Sequence, residues 1–154
     1  MNKRYSPQFT NDGFKKIQKE FDGLQEKRKE AVKELSFARS MGDVSENSAY
    51  KAARHKLSSV DSRLRYLSNL LRFGEIVEPP TTGYVGIGSV VIVDDGVVKK
   101  TFTVVGGHES DINEGKISCY TPIGKALMRK KKGDRFTFQI PAGTLTYTIL
   151  SVSP

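Results

Sequence analysis

Apolar residues recur at alternating spacings of three and four along two long segments of the N-terminal half, which predicts two amphipathic helices with heptad seams. The first seam consists of Phe14, Ile17, Phe21, Leu24, Arg28, Ala31, Leu35 and Ala38, with the charged Arg28 as its one interruption. The second seam consists of Tyr50, Ala53, Leu57, Val60, Leu64, Leu67 and Leu71. Thr10 is placed to cap the first helix at its N-terminus, and Gly42 is placed to end it.

A short polar turn, residues 41–47, joins the two seams. Two helices of matched length joined by a short loop indicate an antiparallel coiled-coil hairpin with this turn as its exposed tip. A helix of about 30 residues extends roughly 45 Å. The alternative is that both helices belong to a compact bundle, but no third or fourth segment of similar length and periodicity follows them.

The C-terminal half changes to short runs rich in Val, Ile, Thr, Phe and Tyr, separated by turns, which predicts β-strands. The runs span residues 85–93, 97–105, 116–120, 135–140 and 144–152. A short helix is predicted over residues 122–129, with Thr121 as its N-cap. We therefore predict an α+β protein: a hairpin domain (residues 1–77), a linker (78–83) and a mostly antiparallel β domain with one short helix (84–154). Four apolar residues are interpreted as core in preference to a docking surface: Phe102, Tyr120, Ile123 and Leu127.

The 154 residues carry a formal net charge of +8, of which residues 1–75 contribute +6. This basic excess favours an anionic partner, either nucleic acid or an acidic protein surface. The single cysteine, Cys119, excludes an internal disulfide and favours a reducing compartment. The N-terminal residues have no apolar stretch behind their charges, and the longest aliphatic run, residues 90–93, is too short to span a membrane. We therefore expect a cytoplasmic protein without a signal peptide or membrane segment.

The tip turn contains two carboxylates, Asp43 and Glu46, three residues apart. If both began the second helix, they would lie on one face with Cβ atoms about 5–6 Å apart, where they could hold one hard cation such as Mg²⁺. An acid followed three residues later by Glu is also a capping-box-like arrangement, in which Asp43 would accept hydrogen bonds from backbone N–H groups. Spacing alone favours the cap, which would make the tip rigid without excluding metal binding.

A basic stripe follows the tip on the second segment and consists of Lys51, Arg54, His55 and Lys56, with Arg63 and Arg65 further along. The stripe is either a solvated helix face or a surface that contacts phosphates, and the sequence favours neither interpretation. The run 130–132 of three lysines is interpreted as a solvated loop. His55 and His108 have no Cys or His at ligand spacing, and the chain contains no zinc, P-loop, dinucleotide-binding or nucleophile-elbow motif.

Over nearly its whole length, the chain resembles the Gre family of bacterial transcript-cleavage factors. At the tip, the resemblance is carried by Gly42-Asp43-Val44-Ser45-Glu46-Asn47-x-x-Tyr50, midway between the two seams. The other matching motifs are Thr10-x-x-Gly13, Ile76-Val77, Thr121-Pro122-Ile123-x-Lys125-Ala126-Leu127, Lys132-Gly133-Asp134 and Pro141-Ala142-Gly143, in the order that the family shows.

The resemblance implies a C-terminal domain similar to FKBP folds, which docks on bacterial RNA polymerase at the mouth of its secondary channel. It implies that the hairpin reaches through this channel to the active centre when the polymerase has backtracked. There Asp43 and Glu46 would help to hold a Mg²⁺ ion jointly with the polymerase, which then cleaves the extruded 3′ end of the nascent RNA. The chain would bind no cofactor alone and would not itself be a nuclease; we expect a monomer.

The remaining site residues are also implied by the resemblance. Tyr50 matches a tip aromatic residue by position, and Arg54 and Lys56 match a basic patch that engages RNA, with His55 a less close match. Two positions depart from the family pattern: Ala49 stands where an acid is frequent, and Val44 stands where a larger or charged residue is frequent. The motifs do not separate the GreA-type from the GreB-type subgroup.

Two other functions are compatible with parts of the sequence. Ala49 and the basic excess are compatible with a regulator that occupies the secondary channel without stimulating cleavage. The C-terminal half alone is compatible with a prolyl isomerase or chaperone, but this interpretation gives the hairpin no role, and fold alone does not determine function.

Overall fold

A computed structural model describes residues 6–43 and 46–154. The N-terminal residues used to predict the absence of a signal peptide, and Val44 and Ser45 of the tip motif, lie outside the described residues. The chain divides into two compact units. The helical unit is Lys15–Phe73, and the sheet unit comprises the described residues up to Phe14 together with Gly74–Pro154. The boundary falls within the first helix.

Two helices form the helical unit: α1 (Asn11–Ser40), whose first turn lies in the sheet unit, and α2 (Ser48–Phe73). Both predicted seams are confirmed, because every seam position except Arg28 is buried or half-buried while most other positions are exposed. The buried members are small or aliphatic side chains: Ile17, Ala31, Ala38, Ala53 and Leu67. Leu70 is also buried, at 6% exposure, although it lies outside the predicted seam.

Ion pairs between α1 and α2 show that the helices are antiparallel. Glu20 pairs with Arg63 at 2.7 Å, Asp61 with Arg28 at 2.6 Å, and Glu34 with Lys56 at 2.8 Å. The partner number falls along α2 as the position on α1 rises, as an antiparallel hairpin requires. These side chains are largely solvated, so each pair contributes at most about 1 kcal/mol. The pairs therefore report the register of the helices more than they explain their stability.

The strands of the sheet unit are β1 (Gln8–Phe9), β2 (Glu75–Ile76), β3 (Val90–Asp94), β4 (Lys99–Val105), β5 (Lys116–Ser118), β6 (Arg135–Ile140) and β7 (Gly143–Ser153). The last five form one sheet in the order β5-β4-β3-β7-β6. Within this sheet, every pairing is antiparallel except that of β4 with β5. The short helix α3 (Pro122–Leu127) has Thr121 as its N-cap, whose hydroxyl accepts from Gly124 N at 3.2 Å. The predicted α+β architecture is therefore confirmed.

The core of the sheet unit is formed by alternate residues of the strands together with α3. Leu127 is fully buried, and Phe102 and Ile123 pack partly buried against the same cluster, as predicted. Tyr120 is 41% exposed, so its interpretation as a core residue was wrong. Its place immediately before the α3 cap residue, Thr121, puts it in a surface turn that the hydrophobicity of the residue does not reveal.

The predicted strand over residues 85–93 begins only at Val90. Gly88 adopts a φ of +92°, which ends extended structure, and the buried Ser89 hydroxyl accepts from Gly86 N at 3.0 Å to close a turn. A Cβ atom on Gly88 would lie 3.0 Å from Pro79, and one on Gly86 would lie 2.4 Å from Pro80. Part of the segment predicted as a linker therefore packs directly against the sheet unit.

A pair of two-residue strands was not predicted. β1 (Gln8–Phe9) and β2 (Glu75–Ile76) pair in parallel within the sheet unit. Phe9 is fully buried and stacks on the His108 ring with centroids 5.8 Å apart. The sheet unit thus includes residues from the start of the predicted hairpin domain, and two residues are too few to show a periodic pattern.

The first turn of α1 is capped as predicted and is also held by a carboxylate. The Thr10 hydroxyl accepts from Gly13 N at 3.1 Å, which makes Thr10 the N-cap. The Glu109 carboxylate accepts from Thr10 N at 2.9 Å and from the Thr10 hydroxyl at 2.5 Å. A negative charge at this end of a helix is favourable because the exposed N–H groups carry partial positive charge.

Candidate functional site

The tip begins where α1 ends. The Met41 N–H donates to the Ala38 carbonyl at 3.3 Å, which tightens the last turn, and Gly42 then adopts a φ of +122°. A side chain at such a φ is disfavoured, so glycine suits this position. The predicted end of α1 at Gly42 is confirmed, and the chain leaves the helix directly before Asp43.

Asn47 joins the ends of the two helices at the tip. Its side-chain oxygen accepts from Tyr50 N at 3.0 Å, and its backbone carbonyl accepts from Lys51 N at 3.1 Å, which makes Asn47 the N-cap of α2. Its side-chain amide donates to the Ala38 carbonyl of α1 at 2.8 Å. One half-buried side chain therefore satisfies both an N–H group at the start of α2 and a carbonyl at the end of α1.

The position of Asn47 corrects the interpretation of Asp43 as a cap. α2 begins at Ser48, so Asp43 and Glu46 both precede the helix and do not share a face of its first turn. The two acids have the spacing of a capping box, but Asn47, the residue after Glu46, makes the cap. Asparagine is as good a cap as aspartate, so the preference of asparagine for N-cap positions could have identified Asn47 from the sequence.

Asp43 and Glu46 are both exposed, on either side of Val44 and Ser45. Carboxylate oxygens are suitable ligands for Mg²⁺, which commonly takes one or two from a protein and completes its shell with water or phosphate oxygens. Among residues 6–43 and 46–154, no group of three or more His, Cys, Asp or Glu side chains is arranged to hold a metal ion. Two carboxylates alone would leave most of the ligand positions of such a cation to water or to another molecule.

Tyr50 is half-buried in the first turn of α2, where the Arg39 guanidinium lies 5.8 Å from its ring centroid. A cation over an aromatic face contributes about 0.5–1 kcal/mol at an exposed site. This contact adds a second link between the two helices beside the tip. Arg39 was not among the predicted site residues, because its role depends on a partner eleven residues along the chain.

The predicted basic stripe is exposed, but its members differ in their contacts. Lys56 is paired with Glu34, and Arg63 is paired with Glu20, whose hydrogen bond raises the pKa of the Arg63 guanidinium. Lys51, Arg54 and His55 make no ion pair within the described residues. Arg54 lines an open groove of the helical unit, along with Arg28, Leu57, Ser58, Asp61, Leu64 and Arg65. The structure therefore places Lys51, Arg54 and His55 where an anionic ligand has access to them.

Known protein families match this chain over nearly its whole length. Residues 8–76 match the model of the transcription elongation factor N-terminal domain, and residues 80–154 match that of the GreA/GreB C-terminal domain. The chain is 37% identical to transcription elongation factor GreA of a Nitratiruptor species over 93% of its own length and 90% of the relative's. The chain belongs to the GreA/GreB family of transcription elongation factors. The resemblance seen in its motifs is thus confirmed.

Other members of the GreA/GreB family show similar coverage. The GreA proteins of Bacillus licheniformis and Geobacillus kaustophilus are 38% and 39% identical to this chain, and each alignment covers at least 93% of both proteins. Among solved structures, the transcription factor Gfh1 aligns over 97% of this chain and 99% of its own, with 24% identity and a TM-score of 0.48.

Proposed function

We propose that this GreA/GreB family member enters the secondary channel of bacterial RNA polymerase and stimulates the Mg²⁺-dependent cleavage of backtracked RNA 3′ ends. It would thereby rescue arrested elongation complexes. The observation that carries the proposal is the pair of exposed carboxylates, Asp43 and Glu46, at the end of an antiparallel hairpin whose two helices are joined by Asn47. The chain would complete the polymerase's catalytic centre and would not be a nuclease alone.

Asp43 and Glu46 would act by holding and orienting what the polymerase already binds. A second Mg²⁺ held jointly with the polymerase would lower the pKa of its bound water and stabilise charge at the cleaved phosphodiester. The carboxylates would contribute ligands and accept hydrogen bonds from that water. Asn47 would limit the motion of both acids, because it fixes the ends of the helices on either side of them.

The proposal assigns different contacts to the basic residues of α2 and to Tyr50. Lys51, Arg54 and His55 would contact phosphates of the extruded RNA, and Lys56 would join them if it exchanged Glu34 for a phosphate. Exchange is inexpensive, because the Lys56–Glu34 pair is half-solvated and worth at most about 1 kcal/mol. Tyr50 would support the tip through Arg39.

The described residues contain no helix that is long and apolar enough to cross a membrane. A cytoplasmic monomer is part of the proposal.

The test is cleavage of labelled RNA in backtracked polymerase complexes. Asp43→Asn and Glu46→Gln should each slow factor-dependent cleavage by at least about 10- to 100-fold, the usual cost of losing even a group that only orients a metal ligand. Asp22→Asn, an exposed acid of α1, removes the same charge away from the tip and should cleave like the wild type. Undiminished cleavage by both tip variants would reject the assignment.

The same assay separates cleavage from channel occupancy. Ala49 is exposed beside the tip and supplies no carboxylate. If the wild-type protein binds the polymerase and leaves the RNA unshortened, the chain is a non-cleaving regulator of the channel. Isomerase activity on a proline peptide that persists without residues 1–75 would instead support a separate role for the C-terminal half.

A further inference from the structure

The outer face of α1 carries two strongly exposed apolar side chains at the tip end. Phe37 is 68% exposed and Met41 is 67% exposed, the largest values for big apolar residues in the described part of the helical unit. They are four residues apart: Phe37 lies in the last turn of α1, and Met41 lies in the tighter turn that follows, where its N–H donates to the Ala38 carbonyl at 3.3 Å. Residues four apart on a helix lie on the same face.

This apolar character is confined to the tip. On the same face, Lys33 and Glu30 precede Phe37 by four and seven residues and are both exposed, and the pair of Lys29 with Glu26 follows at 2.7 Å. The face is therefore apolar only in its last turns, two residues before Asp43. Single exposed apolar residues are normal on protein surfaces, whereas exposed apolar side chains that adjoin one another can serve as a contact surface.

The two helices present different chemistry beside the acids. On α2, Lys51 and Arg54 provide the cations that binding to an RNA backbone requires. On the Phe37 side of α1, the charges nearest to the tip are Glu34, which is already paired with Lys56 at 2.8 Å, and Lys33 and Glu30, which have opposite signs. That face therefore fits an apolar protein surface better than a nucleic acid strand.

We infer that Phe37 and Met41 together form an apolar contact, here termed the tip knob, that packs against a protein wall of the space that the tip enters. The inference rests on the proposed function, since it takes the polymerase as the partner. The knob is continuous with the tip acids, so the same insertion would bury it. An aromatic anchor beside a flexible thioether suits such a wall, because aromatic residues dominate binding energy at interfaces and methionine adapts to irregular surfaces.

The experiment measures binding of fluorescently labelled protein to polymerase, with and without backtracked RNA. Phe37→Ser combined with Met41→Ser should raise the concentration for half-maximal binding about tenfold, since losing interface anchors commonly costs more than about 1.4 kcal/mol. Val32→Ser is the matched control: Val32 is an exposed α1 residue, and Val, Phe and Ser have similar helix propensities. It should bind within twofold of the wild type. Equal binding by the double variant and the wild type would overturn the inference.

Phe37→Leu identifies the occupant. Packing against a protein wall tolerates another large apolar side chain, so this variant should lose less binding than the double serine variant, and by the same factor whether or not RNA is present. If Phe37 instead stacked on an RNA base, Phe37→Leu would weaken binding as much as the double serine variant does, and only in complexes that contain RNA. That result would reject contact with a protein wall. Wild-type protein that binds without cleavage would reject the proposed function but support the knob if the double variant bound more weakly. Wild-type protein that fails to bind polymerase would reject both.

Discussion

Asn47→Ala should destabilise the hairpin tip by about 2 kcal/mol. The cap bond from Tyr50 N to the side-chain oxygen, at 3.0 Å, is of a kind whose loss typically costs about 1 kcal/mol. The second bond, from the side-chain amide to the Ala38 carbonyl at 2.8 Å, adds about 1 kcal/mol as an ordinary net hydrogen bond. Asn47→Asp keeps the cap acceptor and loses the donor to Ala38, so it should cost about half as much.

Hydrogen exchange of the Tyr50 and Lys51 amides measures the opening of this turn, because Tyr50 N donates to the Asn47 side chain and Lys51 N donates to the Asn47 backbone carbonyl. A loss of about 2 kcal/mol corresponds to roughly thirtyfold faster exchange at about 1.4 kcal/mol for each factor of ten. Ser48→Ala, at the exposed first position of α2, is the neighbouring control and should stay within about 0.5 kcal/mol of the wild type. Exchange in Asn47→Ala that remains within a factor of two of the wild type would refute the assignment of Asn47 as the link between the helices.

Three further predictions concern stability. Gly106→Ala should lower the free energy of unfolding by about 3 kcal/mol in denaturant titrations, because a Cβ there would lie 1.7 Å from the Gln8 carbonyl oxygen. Gly23→Ala, in open space, should not lower it. Arg28→Leu should raise the free energy of unfolding by about 1 kcal/mol, since an apolar seam residue would replace an exposed ion pair. A decrease in the free energy of unfolding would contradict this account. Burial raises the pKa of the Cys119 thiol, so stability should fall as pH rises above the unfolded pKa of about 8.5 and towards the folded one, where the unfolded state has lost the proton first. Cys119→Ala should lack this alkaline loss.

The helices were predictable because one physical requirement fixes many positions. Two helices that pack along a shared seam need apolar residues at spacings of three and four, and every such position except Arg28 is shielded in the structure. The strands β6 and β7 were predicted within one residue for a similar reason, since alternation over many residues is a strong signal. Periodicity thus gave elements and their faces wherever an element was long.

The misses have local causes that periodicity does not contain. β1 and β2 have two residues each, and their pairing depends on Gly106 allowing the close approach of Gln8. The start of β3 was placed five residues early because the apolar residues before Val90 belong to a turn that contains Gly88. The pairing of β1 with β2 joins distant segments, and the turn before β3 depends on the backbone conformation of Gly88, so neither feature shows in the hydrophobic pattern.

At the tip, the sequence identified the two acidic residues but did not settle whether they cap the helix. Asp43 and Glu46 were identified from their spacing and from the family motif, but the same spacing also suggested a cap. The cap is Asn47, and its second bond reaches a carbonyl nine residues earlier in the chain. Only the antiparallel packing of the helices brings that carbonyl close, so the link between α1 and α2 could not be derived from the local sequence.

The separation of capping from the acids makes rigidity and chemistry independently testable. Asp43→Asn should abolish most of the cleavage while leaving exchange of the Tyr50 amide unchanged, because that amide donates to Asn47. Asn47→Ala should accelerate exchange while cleavage falls far less, provided that the tip remains mostly ordered after losing about 2 kcal/mol. If Asn47→Ala instead reduced cleavage as severely as Asp43→Asn, the position of the acids would depend on this one side chain, and ordering of the tip would be the step that limits cleavage.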